Sequence, residues 1–269
     1  MRVIRLVADL RSALVPEPGR GTRVGLVPTM GALHAGHLSL ISAARGSSDQ
    51  VVVSLFVNPA QFGRDEDLDR YPRDEPRDIA AAEAAGVDLL FVPDADQMYP
   101  DGFDTWIDPG KIGTFLEGTA RPGHFRGVAT ICSKLFLLVR PTRAYFGRKD
   151  AQQVAVVKQL VRDLELPVEI VACPTVRDPD GLALSSRNVF LSPEEREAAL
   201  ALPHALDAGL QAYRSGQDAV RAARIVLDAE PRLRVDYVAE ADLDGPTLAA
   251  AVVVGSTRLI DNVLLDTEA

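Results

Sequence analysis

The stretch VPTMGALHAGHLSLI, from Val27 to Ile41, places two histidines three residues apart between an apolar run and an amphipathic one. A buried strand, a glycine-containing turn and a helix form a ready anion site, because the first N–H groups of a helix lack partners and bear partial positive charge. Gly31 and Gly36 let the backbone approach a ligand closely. His34 and His37 are spaced to project on one side of the turn. The pattern therefore indicates a phosphate site.

The histidine pair alone is also compatible with a surface or structural role, with a helix cap or with a metal site. Zinc needs a third ligand, and the other histidines, His124 and His204, lie in weak contexts for one. The sequence contains no Cys-x-x-Cys, HExxH or Walker GxxxxGK[ST] pattern, and no GxGxxG follows a strand. A phosphate site of another design fits these observations better.

Composition limits the class of protein and its partners. The 269 residues are 47% hydrophobic and 25% charged, with a formal net charge of -9, which indicates a soluble globular protein and disfavours a general nucleic-acid or anionic-membrane surface. Cys132 and Cys173 lie in apolar contexts and are expected to be buried, reduced thiols. No signal peptide is evident at the N-terminus, and no apolar run approaches the roughly 18 residues of a membrane span. We therefore expect a cytoplasmic protein that binds neither nucleic acid nor membrane.

Strands alternate with helices as far as Cys173, which predicts a Rossmann-like, doubly wound parallel sheet of the α/β class. The predicted strands are RVGLVP, QVVVSLFVNP, VDLLFVP, RAYFG and PVEIVAC; the helices are HLSLISAAR, DEPRDIAAAEAAG, GVATICSKLFLLVR and DAQQVAVVKQLVRDLEL. Between two of these elements lies GRDEDLDRYPRDEPRD, which we interpret as an exposed loop leading into a helix. Within it, Tyr71 and Asp78 are expected on a solvated face or lid rather than in a metal cluster.

The pattern changes after Cys173, and we place a domain boundary there, with domains at 1–175 and 176–269. The second domain is predicted to be a smaller α+β unit. It has helices at about 193–214 and 217–229, followed by an antiparallel pair, RVDYVAEADL and AVVVGSTRLIDNVLL. Ser192, Pro193 and Glu195 predict a capping box at the start of its first helix.

Five strings occur in order between about residues 24 and 190: PTMGALHAGHLSLI, VVSLFVNPAQFG, GHFRGVATICSKLF, YFGRKDAQQ and DGLALSSRN. HAGH resembles the His-x-Gly-His signature of the nucleotidylyltransferase and class I aminoacyl-tRNA synthetase superfamily. Together the five strings resemble the pantothenate synthetase family. That resemblance implies ATP-dependent condensation of (R)-pantoate with β-alanine through a pantoyl adenylate, with release of AMP and pyrophosphate. It also implies Mg²⁺, a homodimer and a C-terminal lid domain.

The resemblance implies a site residue by residue. Four of these residues are expected to be catalytic: His34, His37, Lys149 and Arg187. The nucleotide is expected at Met30, Gly31, Ala32, Leu33, His34, Ala35, Gly36, His37, Gly147, Arg148, Lys149, Asp150, Val176, Leu184, Ser185, Ser186 and Arg187. The substrate acids are expected at Asn58, Gln61 and Gln153, with Glu117 and Arg121 nearby. Leu184 stands where many members have methionine, which affects only fine packing.

Each of these residues also has a plainer interpretation when taken alone. Gln153 with Asp150 fits a helix capping box, and Arg148 with Lys149 fits solvated charges. Asn58 could simply end a strand. Two rival functions remain: a nucleotidylyltransferase acting on a phosphate acceptor, and an inactive nucleotide-binding protein. The glutamines disfavour the first, because a phosphate acceptor would favour Arg or Lys, and the intact histidine and cationic set disfavours the second.

Overall fold

The apolar runs before Cys173 form one parallel sheet in the computed structural model, which describes residues 1–14, 21–63 and 66–266. Six strands lie in the order β1-β4-β3-β2-β5-β6, and every neighbouring pair is parallel. The strands are β1 Arg2–Ile4, β2 Val24–Thr29, β3 Gln50–Leu55, β4 Leu89–Phe91, β5 Arg143–Gly147 and β6 Glu169–Cys173. The predicted fold class is confirmed.

Both faces of this sheet are covered, which is why its strands are continuous apolar runs. Consecutive residues of β3 point to opposite faces: Val52 belongs to one core, and Val51 and Val53 belong to the other. The first unit's helices are α1 Val7–Ala13, α2 Ala35–Ser47, α3 Glu75–Ala84, α4 Ala95–Met98, α5 Glu117–Ala120, α6 His124–Val139 and α7 Ala151–Asp163. Cys132 and Cys173 are buried free thiols, as predicted, and burial raises the pKa of Cys132 to about 12.

Strand order identifies the edge of the sheet where a ligand is expected. After the edge strand β1, the chain enters the centre of the sheet at β2, moves outward through β3 and β4, and returns to place β5 on the other side of β2. In open α/β sheets, ligands bind beyond the carboxyl ends of the strands at such a switch point. The turn at residues 30–37, which contains His34 and His37 and is called the histidine turn below, follows β2. Residues 148–150 follow β5 directly.

Contacts divide the chain into two units, of which the first comprises Met1–Gly147 and Gln152–Cys173. The second comprises Arg148–Ala151 and Pro174–Ala269. Its helices and strands are α8 Pro193–Ala199, α9 Ala201–Arg214, α10 Ala219–Asp228, β7 Leu233–Asp242, β8 Pro246–Val254 and β9 Thr257–Leu264. The three strands form an antiparallel sheet, and the predicted capping box at Ser192 and Glu195 is present.

Two predictions in the second unit were wrong in detail. The helix predicted over 193–214 is interrupted at Leu200, which ends α8 and precedes α9. The predicted strand pair is a three-stranded sheet, since a turn with Gly255 at φ 56° divides the last apolar run. In the first unit, the short edge strand β1 was also missed.

Among the helices of the described residues, none has both the length and the apolar character that spanning a membrane requires.

Candidate active site

The histidine turn is organised by its own side chains. His34 is the N-cap of α2, and its Nδ1 accepts the backbone N–H of Gly36 at 3.2 Å. His37 Nδ1 accepts the backbone N–H of His34 at 3.3 Å, and the two ring centroids are 4.0 Å apart. Because each Nδ1 accepts a hydrogen bond, each neutral ring keeps its proton on Nε2. Capping and anion binding are therefore compatible: Nδ1 organises the turn, and Nε2–H is the group able to donate to a phosphate oxygen.

Asp78 fixes the backbone of the same turn. Its carboxylate accepts the N–H of Ala32 at 2.8 Å and that of Leu33 at 2.7 Å, and the residue is only 2% exposed. Gly31 and Ala32 both have positive φ, 90° and 50°, a conformation that needs such support in a residue other than glycine. The prediction of a solvated face for Asp78 was wrong. Asp78 lies one helical turn before the buried Ala82, and that spacing is the sequence signal that could have placed it inward.

Tyr71 is likewise buried, at 5% exposure, and packs edge-on against Phe62 with ring centroids 5.9 Å apart. The expectation of a solvated position was therefore wrong here too. Residues 64 and 65 of the charged stretch lie outside the described residues.

Asn58 and Gln61 lie in the turn that follows β3. Asn58 caps a short 3-10 helix, Pro59–Gln61, and its Nδ2 donates to Gln61 Oε1 at 3.0 Å. Gln61 is 8% exposed, and its Nε2 lies 3.0 Å from Met30 Sδ. The Gln61 side chain, one of those predicted to bind substrate, thus contacts Met30 at the start of the histidine turn. Asn58 does more than end a strand, because its side chain caps this 3-10 helix and bonds to Gln61.

A partly buried network of Arg121, Glu66 and the buried His124 lies on the far side of Gln61. His124 Nδ1 donates to the Gln61 carbonyl at 2.8 Å, and Arg121 approaches His124 Nε2 at 3.2 Å. Burial and then the charge of Arg121 lower the pKa of His124 to about 4, so the ring is neutral near pH 7. Burial acts to raise the pKa of Glu66, but hydrogen bonds and charge from Arg121 outweigh it and hold that pKa below its ordinary value. Sequence reasoning assigned His124 no role; GHFRG at a helix start was the available signal.

Gln153 lies near the start of α7 and is partly exposed, whereas its neighbour Gln152 is buried. The Gln152 side chain accepts the N–H of Glu117 at 3.0 Å and donates to the carbonyls of Ile112 and Phe115. Gln152 therefore anchors the loop before α5, while Gln153 stays the predicted ligand.

In the second unit, strand β9 holds the segment that follows β5. Asn262 Nδ2 donates to the carbonyls of Arg148 and Lys149, both at 2.8 Å, and Asn262 is 8% exposed. The Arg148 guanidinium pairs with Asp244 at 3.1 Å, and Lys149 Nζ lies 3.8 Å from Asp150. The backbone of this segment is thus built into the second unit, which an isolated surface charge pair would not require.

The remaining predicted nucleotide residues form one structure within the second unit. Leu184 N–H donates to the Val176 carbonyl at 3.0 Å, which joins the two ends of a hairpin. The next residue, Ser185, caps the 3-10 helix Ser186–Phe190 by accepting the N–H of Arg187 at 3.3 Å. The two predicted groups, Val176 and Leu184 to Arg187, are therefore adjacent. Within the described residues, no three His, Cys, Asp or Glu side chains are grouped to hold a metal.

Comparison with known proteins identifies the family. Residues 2–264 match the sequence profile of a family described as pantoate-beta-alanine ligase. The chain belongs to that family. Membership makes it an ATP-dependent ligase that joins pantoate to β-alanine, and the resemblance inferred from the five strings is confirmed.

Similar proteins cover the whole chain. A pantothenate synthetase of Roseiflexus sp. strain RS-1 is 56% identical over 280 residues, covering 99% of this chain and 100% of that protein. The crystal structure of pantothenate synthetase from Thermus thermophilus has a TM-score of 0.93 and 49% identity, covering 98% of this chain and 99% of that one. A Francisella tularensis pantoate-beta-alanine ligase, solved with beta-gamma ATP and beta-alanine, has a TM-score of 0.84 and 35% identity, covering 100% and 99%.

Proposed function

We propose that this ligase activates pantoate as an acyl adenylate. A carboxylate oxygen of (R)-pantoate attacks the α-phosphorus of ATP, and pyrophosphate leaves with the bridging oxygen. The amine of β-alanine then attacks the acyl carbon, loses a proton and expels AMP, giving pantothenate. The observation that carries the proposal is the contact between the Gln61 amide and Met30, at the start of the turn capped by His34 and His37.

Charge at the α-phosphorus changes most during the first step, so fixed donors there should supply most of the stabilisation. We assign the Nε2–H groups of His34 and His37 to the phosphate oxygens, which fits the use of both Nδ1 atoms as caps. Lys149 and Arg187 are the proposed cationic clamps. The surrounding nucleotide contacts are proposed for Met30–Ala35, Gly36, Gly147, Arg148, Asp150, Val176 and Leu184–Ser186.

Gln61 and Gln153 are proposed to hold the acids, and Asn58 is proposed to complete the acid site by holding the Gln61 amide. Amides bind hydroxyl and carboxylate groups without adding net charge beside the triphosphate. Residues 1–175 would then form the nucleotide- and pantoate-binding domain, and 176–269 a lid whose closure keeps water from hydrolysing the adenylate.

Mg²⁺ is proposed to accompany the nucleotide. With no three-residue cluster of metal-binding side chains in the described residues, the chain's donors suit an ion held mainly by triphosphate oxygens and water, as Mg²⁺ commonly is. Such an ion would offset phosphate charge. We also propose a homodimer and a cytoplasmic location, both of which the family resemblance implies.

Replacing His37 tests the assignment of the nucleotide turn. His37→Ala should lower pyrophosphate release from ATP and pantoate by about two orders of magnitude. His204→Ala is the matched control, since His204 is exposed on α9. Turnover of His37→Ala at the wild-type rate would refute the role of His37. Transfer of AMP to a phosphate acceptor, with release of pyrophosphate and no need for β-alanine, would favour the nucleotidylyltransferase alternative instead.

A further inference from the structure

A chain of hydrogen bonds leads from Tyr99 to the Gln61 side chain. The Tyr99 hydroxyl donates to Asn58 Oδ1 at 2.8 Å, and Asn58 Nδ2 donates to Gln61 Oε1 at 3.0 Å. Asn58 is 1% exposed and Gln61 is 8% exposed, so neither amide can exchange these partners freely for water. Tyr99 immediately follows α4, and no local sequence pattern marked it as part of a site.

Bonds to the backbone determine which group donates and which accepts in each of these side-chain hydrogen bonds. The N–H of Ala60 donates to Asn58 Oδ1 at 3.3 Å, and Asn58 Nδ2 donates to the Gly127 carbonyl at 3.3 Å. If the Asn58 amide were turned over, its NH₂ group would face the N–H of Ala60, and its oxygen would face the Gly127 carbonyl. Each buried group left without a partner in this way would destabilise the protein. Tyr99 must therefore donate, Gln61 Oε1 must accept, and the NH₂ end of Gln61 is turned towards Met30.

The tyrosine ring is held by an aromatic cluster. Its centroid lies 5.1 Å from that of Phe103 and 6.0 Å from that of Trp106, and Lys134 Nζ lies 5.6 Å above the ring. Burial also holds the pKa of the hydroxyl above its ordinary value, so the proton needed for donation stays in place. The Tyr99 ring is thus held in place, and its hydroxyl is positioned to donate to Asn58.

We propose that Tyr99 is a positioning residue which, through Asn58, holds the Gln61 amide with its NH₂ end towards the substrates. The inference rests on the proposed function, in which Gln61 contacts pantoate. An NH₂ group selects an acceptor, so this polarity favours the hydroxyl or carboxylate oxygens of a substrate acid. Tyr99 itself does not touch the substrate in this account.

The test is a double-mutant cycle between Tyr99→Phe and Gln61→Ala. Tyr99→Phe keeps the ring and should raise KM for pantoate by about three- to tenfold, while KM for ATP stays unchanged. In the Gln61→Ala background the same substitution should add little, because the amide that it positions is gone. Tyr213→Phe is the matched control, since it removes a hydroxyl that bonds to the Asp266 carboxylate at 3.1 Å and lies in the other unit.

Additive effects of the two substitutions, or an equal rise in KM for ATP, would overturn the role of Tyr99. Absence of pantothenate formation by the wild-type enzyme would instead refute the proposed function. A second measurement needs no variant: NOEs should connect the Gln61 NH₂ protons to the Met30 methyl group. NOEs from those protons to the Asn58 side, with none to Met30, would contradict the proposed polarity even if Tyr99→Phe failed to fold.

Discussion

At the scale of single residues, Asp78 shows how a buried charge can shape a site that it need not touch. Its two hydrogen bonds hold the backbone N–H groups of Ala32 and Leu33, and the turn that they define leads to His34. An asparagine side chain can accept only one of these bonds well, since its NH₂ group would face the other donor. The role of Asp78 is thus to hold a backbone shape.

Asp78→Asn should raise KM for ATP by about tenfold, because a charge-assisted hydrogen bond to the turn is lost. Asp74→Asn is the matched control: Asp74 caps α3, where asparagine caps equally well, so neither KM nor stability should change. Steady-state kinetics with ATP as the varied substrate measures both. A wild-type KM for ATP in Asp78→Asn would contradict the positioning role.

His124 should make the stability of the first unit depend on pH. Its folded pKa of about 4 lies below the ordinary 6.5, so the unfolded chain binds more protons between these values. Stability conferred by the neutral ring is therefore complete above pH 6.5 and is lost as pH falls towards 4. Urea unfolding of the wild type should show an extra slope of up to about 1.4 kcal/mol per pH unit, relative to His124→Gln.

His204→Gln is the control for this measurement: it makes the same substitution at an exposed position, so the change in slope should be specific to His124→Gln. Equal slopes for the wild type and His124→Gln would show that His124 does not titrate as expected.

Sequence patterns marked some residues of the proposed site and left others unmarked, for a physical reason. His34 and His37 stand in a strand–turn–helix pattern that can be recognised from the neighbouring residues alone. Asp78 and Tyr99 act on residues more than forty positions away, as the pairings Leu33 with Asp78 and Asn58 with Tyr99 show. Only the folded sheet brings such segments together, so local charge patterns gave the wrong environment for Asp78.

At the scale of elements, the packing of α6 on the turn after β3 depends on Gly127. A Cβ atom there would lie 2.2 Å from the Ala60 carbonyl oxygen and 2.7 Å from the Gln61 nitrogen, both backbone atoms. The contact would have to open, and with it the bond from Asn58 to the Gly127 carbonyl. This close approach places α6 beside the proposed acid site.

Gly127→Ala should therefore destabilise the protein by about 1–3 kcal/mol and raise KM for pantoate. Gly46→Ala is the matched control within a helix, because no atom lies within 4 Å of its added Cβ; it should stabilise by up to about 1 kcal/mol. Thermal unfolding compares the two. Equal melting temperatures for both variants would argue against the packing role.

The elements themselves were largely predictable, because continuous apolar runs and helical spacing reflect burial directly. The errors lie where one residue changes the chain's course: Leu200 divides a helical pattern, and Gly255 turns an apolar run back on itself. The edge strand Arg2–Ile4 is too short to show a period, and it forms because β4 offers a parallel partner.

At the scale of the whole molecule, the two units contain different groups of the residues that the sequence predicts for ligand binding. The histidine turn, Asn58 and Gln61 belong to the first, while Lys149 and Arg187 belong to the second. Residues 148–151 group with the second unit although they follow a strand of the first, because Asn262 holds their backbone. A single boundary after residue 175, predicted from the change of pattern along the sequence, does not include this segment.

The central claim is that pantoate is activated as an acyl adenylate, and transfer of its carboxylate oxygen to AMP tests this claim most directly. Pantoate labelled with ¹⁸O in its carboxylate is incubated with ATP and β-alanine, and the products are examined by ³¹P NMR. Attack of the carboxylate on the α-phosphorus predicts one ¹⁸O in AMP and none in pyrophosphate, in step with pantothenate formation. Unlabelled AMP, or label in inorganic phosphate released with ADP, would contradict the adenylate route.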